Sequence, residues 1–308
     1  MRTLVSVNGR LSSPEDAVVP ALDRGFLYGD SVYEVLWWHR GVLVQAKDHF
    51  ERLRASGRRI YLSLPEGDAR WHAAIEPVVA ASGCSRDEDA YVRLVVTRGA
   101  GALGLAVGEG LVPTVVVIVA PAHRPGEEER RRGLSALCVA RLRNDARALD
   151  PAAKTGNYMN NLLALHEARV QGADDALLLN AAGEVTEATT SNVYLVRGGA
   201  LVTPAISAGI LEGTTRRRIL SLCAAAGLPV SERSVLPAEL VSAEEIFLSS
   251  SVRGVVPVVR LDGRTVGAGV RGPVTERVHR MFEAAADAEA EAGARGPGGA
   301  TDRGFGVG

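Results

Sequence analysis

Between Pro121 and Gly133 the chain crowds two prolines, two glycines, three consecutive glutamates and three consecutive arginines into one short run. Proline removes a backbone donor, glycine adds freedom and a charged block has to stay in water, so neither a strand nor a buried helix can pass through it. The expectation is a solvated connection at 123–133 between an N-terminal unit, 1–122, and a C-terminal unit, 134–286. With 308 residues, 46% of them hydrophobic, each unit is long enough for a core of its own.

Hydrophobic spacing predicts an α/β pattern in both units. In the first, 47–61 reads as an amphipathic helix through Phe50, Leu53 and Ile60. A second helix is expected at 69–81, followed by β-rich runs at 91–97 and 113–119. The second unit opens with a strand at 134–142 and a helix at 157–171 closed by Gly172. Strands at 176–179 and 192–196, a helix at 214–226 and a hairpin turning at Asp262-Gly263 follow. A last helix is expected at 273–286. The stretch 287–308, rich in Gly, Ala and Glu with scarcely any large apolar residue, is expected to be disordered.

A formal net charge of −1 lacks the basic excess that nucleic acid or an anionic membrane would draw. No apolar run reaches the ~18 residues of a membrane span. Cys84, Cys138 and Cys223 are odd in number and form no CxxC pair, which argues against a disulfide framework and for a reducing cytoplasm. No metal-binding spacing is visible among the six histidines, and His49 and His166 are expected in packing or surface roles. Residues 99–104 spell GxGxxG after a strand, but Gly108, Gly110 and Pro113 deny it the helix that a dinucleotide pyrophosphate needs.

Of the 35 basic side chains only Lys47 and Lys154 are lysine. Arginine carries charge equally well but cannot condense with a carbonyl, so a lysine kept in such a chain is a candidate nucleophile. A nucleophilic lysine needs its pKa brought down from the usual ~10.4, which burial and neighbouring positive groups can supply, and Lys154, in the otherwise uncharged stretch 151–165, is the better candidate. Downstream stand Glu187 among small hydroxylated residues, Gly213-Thr214-Thr215 opening a helix, and Ser249-Ser250-Ser251 after a strand. Separately they read as a solvated acid, an ordinary helix cap and a serine loop. Together they supply what a phosphorylated pyridine cofactor requires: a carboxylate for the ring nitrogen and donors at a helix N-terminus for the phosphate.

The ordered segments 154–158, 187–194, 209–216 and 247–257, with 23–34 and 49–53 upstream, resemble the fold type IV pyridoxal-phosphate enzymes over residues 5–285. That family includes branched-chain and D-amino-acid aminotransferases and aminodeoxychorismate lyase. The resemblance implies a two-domain α/β (α+β) fold, with a small N-terminal α/β domain and a larger pseudo-barrel domain holding pyridoxal 5′-phosphate. It implies Lys154 as Schiff-base lysine and proton carrier, Tyr158 at the ring oxygen and Glu187 at the pyridine nitrogen. Arg52, Thr214, Thr215 and Ser251 would hold the phosphate. A homodimer or higher homo-oligomer is implied as well, acting on amino acids or amines and keto acids.

Gly156-Asn157-Tyr158 is more similar to the branched-chain aminotransferases than to the lyases, and Tyr91-Val92-Arg93 resembles a substrate-binding strand of that subgroup. Leu94 replaces the proline usual there, and Trp37 stands where a strand arginine is expected. Thr97-Arg98-Gly99 is similar to the D-amino-acid branch, and Arg253 occupies a turn that usually carries small residues. Tyr28, Tyr33, Trp37, Arg93, Arg98, Val252 and Arg253 are therefore the expected substrate-binding side chains. The expected activity is branched-chain aminotransfer with specificity broadened toward D-amino acids or (R)-amines; a D-amino-acid aminotransferase or a lyase is the alternative.

Overall fold

The computed structural model describes residues 1–295. The N-terminal half runs β1 (Leu4–Val7), β2 (Arg10–Ser12), α1 (Arg24–Tyr28), β3 (Ser31–His39), β4 (Val42–Leu43), α2 (Ala46–Arg59), α3 (Ala69–Ala81), β5 (Ala90–Thr97) and β6 (Val115–Pro121). Its six strands form one antiparallel sheet in the order β2-β1-β6-β5-β3-β4. Strand alternation sends Val32 and Leu36 of β3 and Val92, Leu94 and Val96 of β5 to one face. There they meet Phe50 and Leu53 of α2 and Trp71, Ile75 and Val78 of α3 in a closed core. The opposite face of β3 and β5 carries Tyr33, Val35, Tyr91 and Arg93, which is what leaves that face available for a site.

The C-terminal half contains α4 (Glu127–Arg132), β7 (Leu134–Leu142), α5 (Met159–Val170), β8 (Asp175–Leu179), β9 (Val185–Ala188), β10 (Asn192–Arg197), β11 (Ala200–Pro204), α6 (Thr214–Ala225), β12 (Val230–Arg233), α7 (Pro237–Val241), β13 (Glu245–Ser250), β14 (Gly254–Leu261), β15 (Arg264–Thr265) and α8 (Pro273–Ala294). Nine strands follow the order β12-β11-β10-β13-β14-β7-β8-β9, with β15 beside β14. The edge strand β9 returns against β10 and β11, so the sheet curls into a half-barrel. Val185, Val193, Leu195, Ile246, Leu248 and Val258 fill its inside. Tyr194, Phe247 and Val255 face outward against Ile219 of α6 and Val278 and Phe282 of α8. Among the described residues no helix is long and apolar enough to cross a membrane.

Two local findings differ from the sequence expectation, and one agrees with it. The connection at 123–133 holds a short helix, α4, with its glutamates in the first turn and its arginines in the last, the polarity that complements the helix dipole. The GxGxxG run leads into an irregular loop and not a helix, as Gly108, Gly110 and Pro113 predict. The last helix does not stop near Ala286 but continues to Ala294. Large apolar residues are unnecessary there because Ala286 and Ala290 pack closely and are buried. Polar anchors complete the docking: Asp287 accepts from His39, and Glu289 accepts from the Gln45 amide and from Arg218. Residues 296–308 lie outside the described residues.

Candidate active site

Lys154 belongs to an irregular segment between β7 and α5 that is stitched to the other sheet. Thr155 bridges to Val32. The Tyr33 amide donates to the Lys154 carbonyl and the Gly156 amide to the Ser31 carbonyl, each at 3.0 Å, while the Lys154 amide donates to Ser56 Oγ at 3.0 Å. Only glycine permits this approach at position 156, since a Cβ there would collide with Ser31 Oγ.

The amine, Lys154 Nζ, lies 3.2 Å from the Tyr33 hydroxyl and 3.4 Å from the Tyr158 hydroxyl. It also sits 4.3 Å from the centroid of the Tyr33 ring. Burial pushes the Tyr33 phenol up, and Tyr158 adds to this. Burial acts on Tyr158 in the same sense, but the Lys154 charge and the Tyr33 hydrogen bond outweigh it and hold that phenol below the usual tyrosine value. Tyr158 is therefore the more acidic of the two hydroxyls beside the amine.

A cavity of about 520 Å³ extends from Lys154 between the two sheets. On one side Glu187 of β9 is buried; its Oε1 receives Arg143 at 3.0 Å, and its Oε2 receives the Leu211 amide at 3.1 Å and Asn192 Nδ2 at 3.3 Å. Burial raises the Glu187 carboxyl, and Arg143 and the Leu211 amide only partly offset this. A cationic N–H reaching this carboxylate would relieve the cost of burying its charge.

At the other side α6 begins without a side-chain cap, at Gly213. The glycine is needed because a Cβ would run into Asn192 Oδ1. Thr215 Oγ1 is buried and, among the described residues, has no hydrogen-bond partner. A buried hydroxyl and the free N–H groups of a first helical turn form an anion receptor. Arg52 lines the same cavity, its Nε and Nη2 held by Glu34 at 2.8 and 2.7 Å and its Nη1 by the Glu212 carbonyl at 3.1 Å. Glu34 is fully buried; burial would raise its carboxyl, but Arg52 and His49 override this and hold it at about 2.

An amine between two phenols, a buried carboxylate and an uncapped helix with an unpartnered hydroxyl thus converge on one cavity. The profile of amino-transferase class IV matches residues 31–261. The chain is a class IV aminotransferase. It is 34% identical over 279 residues to a D-alanine aminotransferase of Bacillus licheniformis, covering 91% of this chain and 95% of that one. A branched-chain aminotransferase of Thermoproteus uzoniensis solved with norvaline superposes with a TM-score of 0.84 at 31% identity, covering 94% of this chain and 96% of the other. The branched-chain amino acid aminotransferase of Escherichia coli gives 0.86 at 28% identity, with 91% of this chain and 93% of that one covered.

In this aminotransferase Lys154, Arg52, Tyr158, Glu187, Thr214, Thr215 and Ser251 all line the cavity, as do Tyr33, Arg93, Val252 and Arg253. Three expected substrate residues do not. Trp37 shares the face of Tyr33 and Val35, but it lies further along β3, 1% exposed, beneath Phe282 and with the Arg124 guanidinium 3.7 Å from its ring centroid. Tyr28 is turned to the 99–104 loop, where its hydroxyl accepts from the Gly104 amide at 3.2 Å. Arg98 is chelated by Asp30 at 2.8 and 2.9 Å and by the Ile60 and Tyr61 carbonyls, so it is neither in this cavity nor a free surface residue.

Four contributors were not singled out from sequence: Arg143 and Asn192 on Glu187, Glu34 on Arg52, and Ser56 under Lys154. Glu34 had a signal, since strand alternation puts this acid on the apolar face of β3, where a buried charge demands a partner. His49 is indeed packed, yet it also reaches the site: its Nδ1 is 2.7 Å from Glu34 and its Nε2 3.2 Å from Thr214 Oγ1.

Proposed function

We propose that this aminotransferase holds pyridoxal 5′-phosphate in the cavity and exchanges amino groups between apolar, branched-chain L-amino acids and 2-keto acids. The observation that carries the reading is that Lys154, Glu187 and Thr215, distant in sequence, line one cavity with complementary chemistry. The unpartnered Thr215 hydroxyl, the α6 amides, Ser251 and Arg52 would take the phosphate, Glu187 the ring nitrogen and Tyr158 the ring oxygen. When bound, the cofactor supplies an electron sink for the charge left at the substrate Cα. Lys154 provides the nucleophilic amine and then carries the Cα proton at Nζ, and the two phenols beside it fix where that nitrogen stands.

Arg93 supports the acceptor side of the reading. It lines the cavity with its guanidinium 4.1 Å from the Tyr33 ring centroid, over an aromatic face and with no acid paired to it among the described residues, a position suited to a substrate carboxylate. Val35, Tyr91 and Val252 give the apolar surface for a branched side chain. The D-amino-acid reading is second, favoured by the relative from Bacillus licheniformis. A homodimer and a cytoplasmic location complete the proposal.

Single half-reactions test it: the loaded enzyme is mixed with L-leucine, D-alanine or an (R)-arylamine, and decay of the visible cofactor band is followed. Rapid decay with L-leucine supports the proposal. Decay with D-alanine alone overturns the branched-chain assignment.

A further inference from the structure

His49 is buried in α2 with both ring nitrogens engaged, Nδ1 with Glu34 Oε2 at 2.7 Å and Nε2 with Thr214 Oγ1 at 3.2 Å. Glu34 also takes the bidentate Arg52, so it is an ionised acceptor and Nδ1 must carry a hydrogen. The state of Nε2 then decides which way the Thr214 hydroxyl points. If Nε2 is bare, it accepts the Thr214 hydrogen, and that hydroxyl has none left for an anion at the α6 N-terminus. If Nε2 is protonated, it donates to Thr214 Oγ1, and the hydroxyl hydrogen is released toward the cavity.

We propose that His49 is a positioning residue that takes up one proton from solvent when the phosphate of the cofactor binds, reversing the Thr214 hydroxyl so that it donates to the phosphate. The inference rests on the phosphate placement proposed above. The groups facing His49 set its two states: Glu34 from β3, Arg52 from its own helix, Lys154 from the segment before α5 and Thr214 from α6. Burial, together with Arg52 and Lys154, holds the imidazole below its ordinary value despite Glu34, which keeps it neutral before the anion arrives. A phosphate dianion adds opposite charge on the Thr214 side and shifts the balance toward imidazolium. One proton is gained at Nε2 per phosphate bound, and no bond to carbon changes.

Thr214→Val, which removes the hydroxyl that reads the imidazole, and Thr214→Ser, which keeps it, test the link. The full-length enzyme freed of cofactor is titrated calorimetrically with pyridoxamine 5′-phosphate in two buffers of different ionisation enthalpy, from neutral to mildly alkaline pH. The wild type and Thr214→Ser are expected to take up about one proton more than Thr214→Val. Their affinity is expected to fall by up to about tenfold per pH unit relative to that variant. His49→Asn, which retains a donor toward Glu34 but cannot titrate, is expected to behave like Thr214→Val. Equal proton uptake in wild type and Thr214→Val, with binding intact, overturns the switch. Absence of pyridoxamine 5′-phosphate binding in the wild type instead overturns the cofactor placement itself, so the two failures are distinguishable.

Discussion

Replacing Lys154 by arginine keeps a cation between Tyr33 and Tyr158 but removes the nitrogen that can lose its proton and attack a carbonyl. Lys154→Arg is expected to lower the transamination rate by at least about a thousandfold and to abolish the visible cofactor band. Retained turnover in that protein would defeat the assignment. Glu34 lends itself to a different measurement. Its carboxyl is depressed from 4.5 to about 2, so the stability it contributes is present above pH 4.5 and lost as the pH falls toward about 2. Glu34→Gln leaves Arg52 and His49 buried without their anion and is expected to cost about 3–5 kcal/mol at neutral pH. Denaturant midpoints of the two proteins should converge in acid. Lys154 was legible because an arginine-biased chain makes a lysine conspicuous, and Thr214-Thr215 because a helix start is a local pattern. Arg143 was not, since it is defined by a partner in another element; for Glu34, alternation along β3 signalled a buried acid but not which partners, Arg52 and His49, would meet it. Trp37 shows the same limit: alternation along β3 puts it on the Tyr33 face, and only Phe282, from the far end of the chain, decides that it is covered.

At the scale of the element, α8 is the informative case. Composition at 287–294 lacks large apolar residues, which normally means no core to join, yet alanines spaced four apart let a helix dock by close approach. Charge does the remaining work. His39 offers Nδ1 to Asp89 at 2.7 Å and Nε2 to Asp287 at 2.9 Å, and two carboxylates can both be served only by the doubly protonated ring. Burial lowers the imidazole, but Asp89 and Asp287 outweigh it and raise its pKa above 6.5. The contribution of His39 is therefore complete below pH 6.5 and is lost as the pH rises through the raised value. In His39→Gln the melting temperature should drop by roughly 2–4 °C in mildly acidic buffer and lose that difference in alkaline buffer. A difference that does not change with pH would show that the ring acts there by packing alone.

For the whole molecule, the α/β character and the two sheets follow from hydrophobic periodicity, whereas the curl that brings β9 back to β10 depends on pairing between distant strands that no local spacing encodes. The surface poses its own question. Phe26 and Leu105 are 74% and 81% exposed, and Arg24 ties their segments together through the Gly104, Leu105 and Ala106 carbonyls. Such a patch, on a protein proposed to be a homodimer, is expected to lie in the interface. Leu105→Glu should halve the mass measured by light scattering, and an unchanged mass would place the interface elsewhere. The stitching of the Lys154 segment to β3 bears on motion. Tyr33 grips that lysine twice, by its amide at the carbonyl and by its hydroxyl near Nζ, so Nζ takes its bearings from the N-terminal sheet although its chain belongs to the C-terminal half. Any hinge that parted the two sheets would carry the proposed nucleophile away from Glu187, which stays with the half-barrel. The seam between the halves therefore works as a fixed datum for the proposed chemistry.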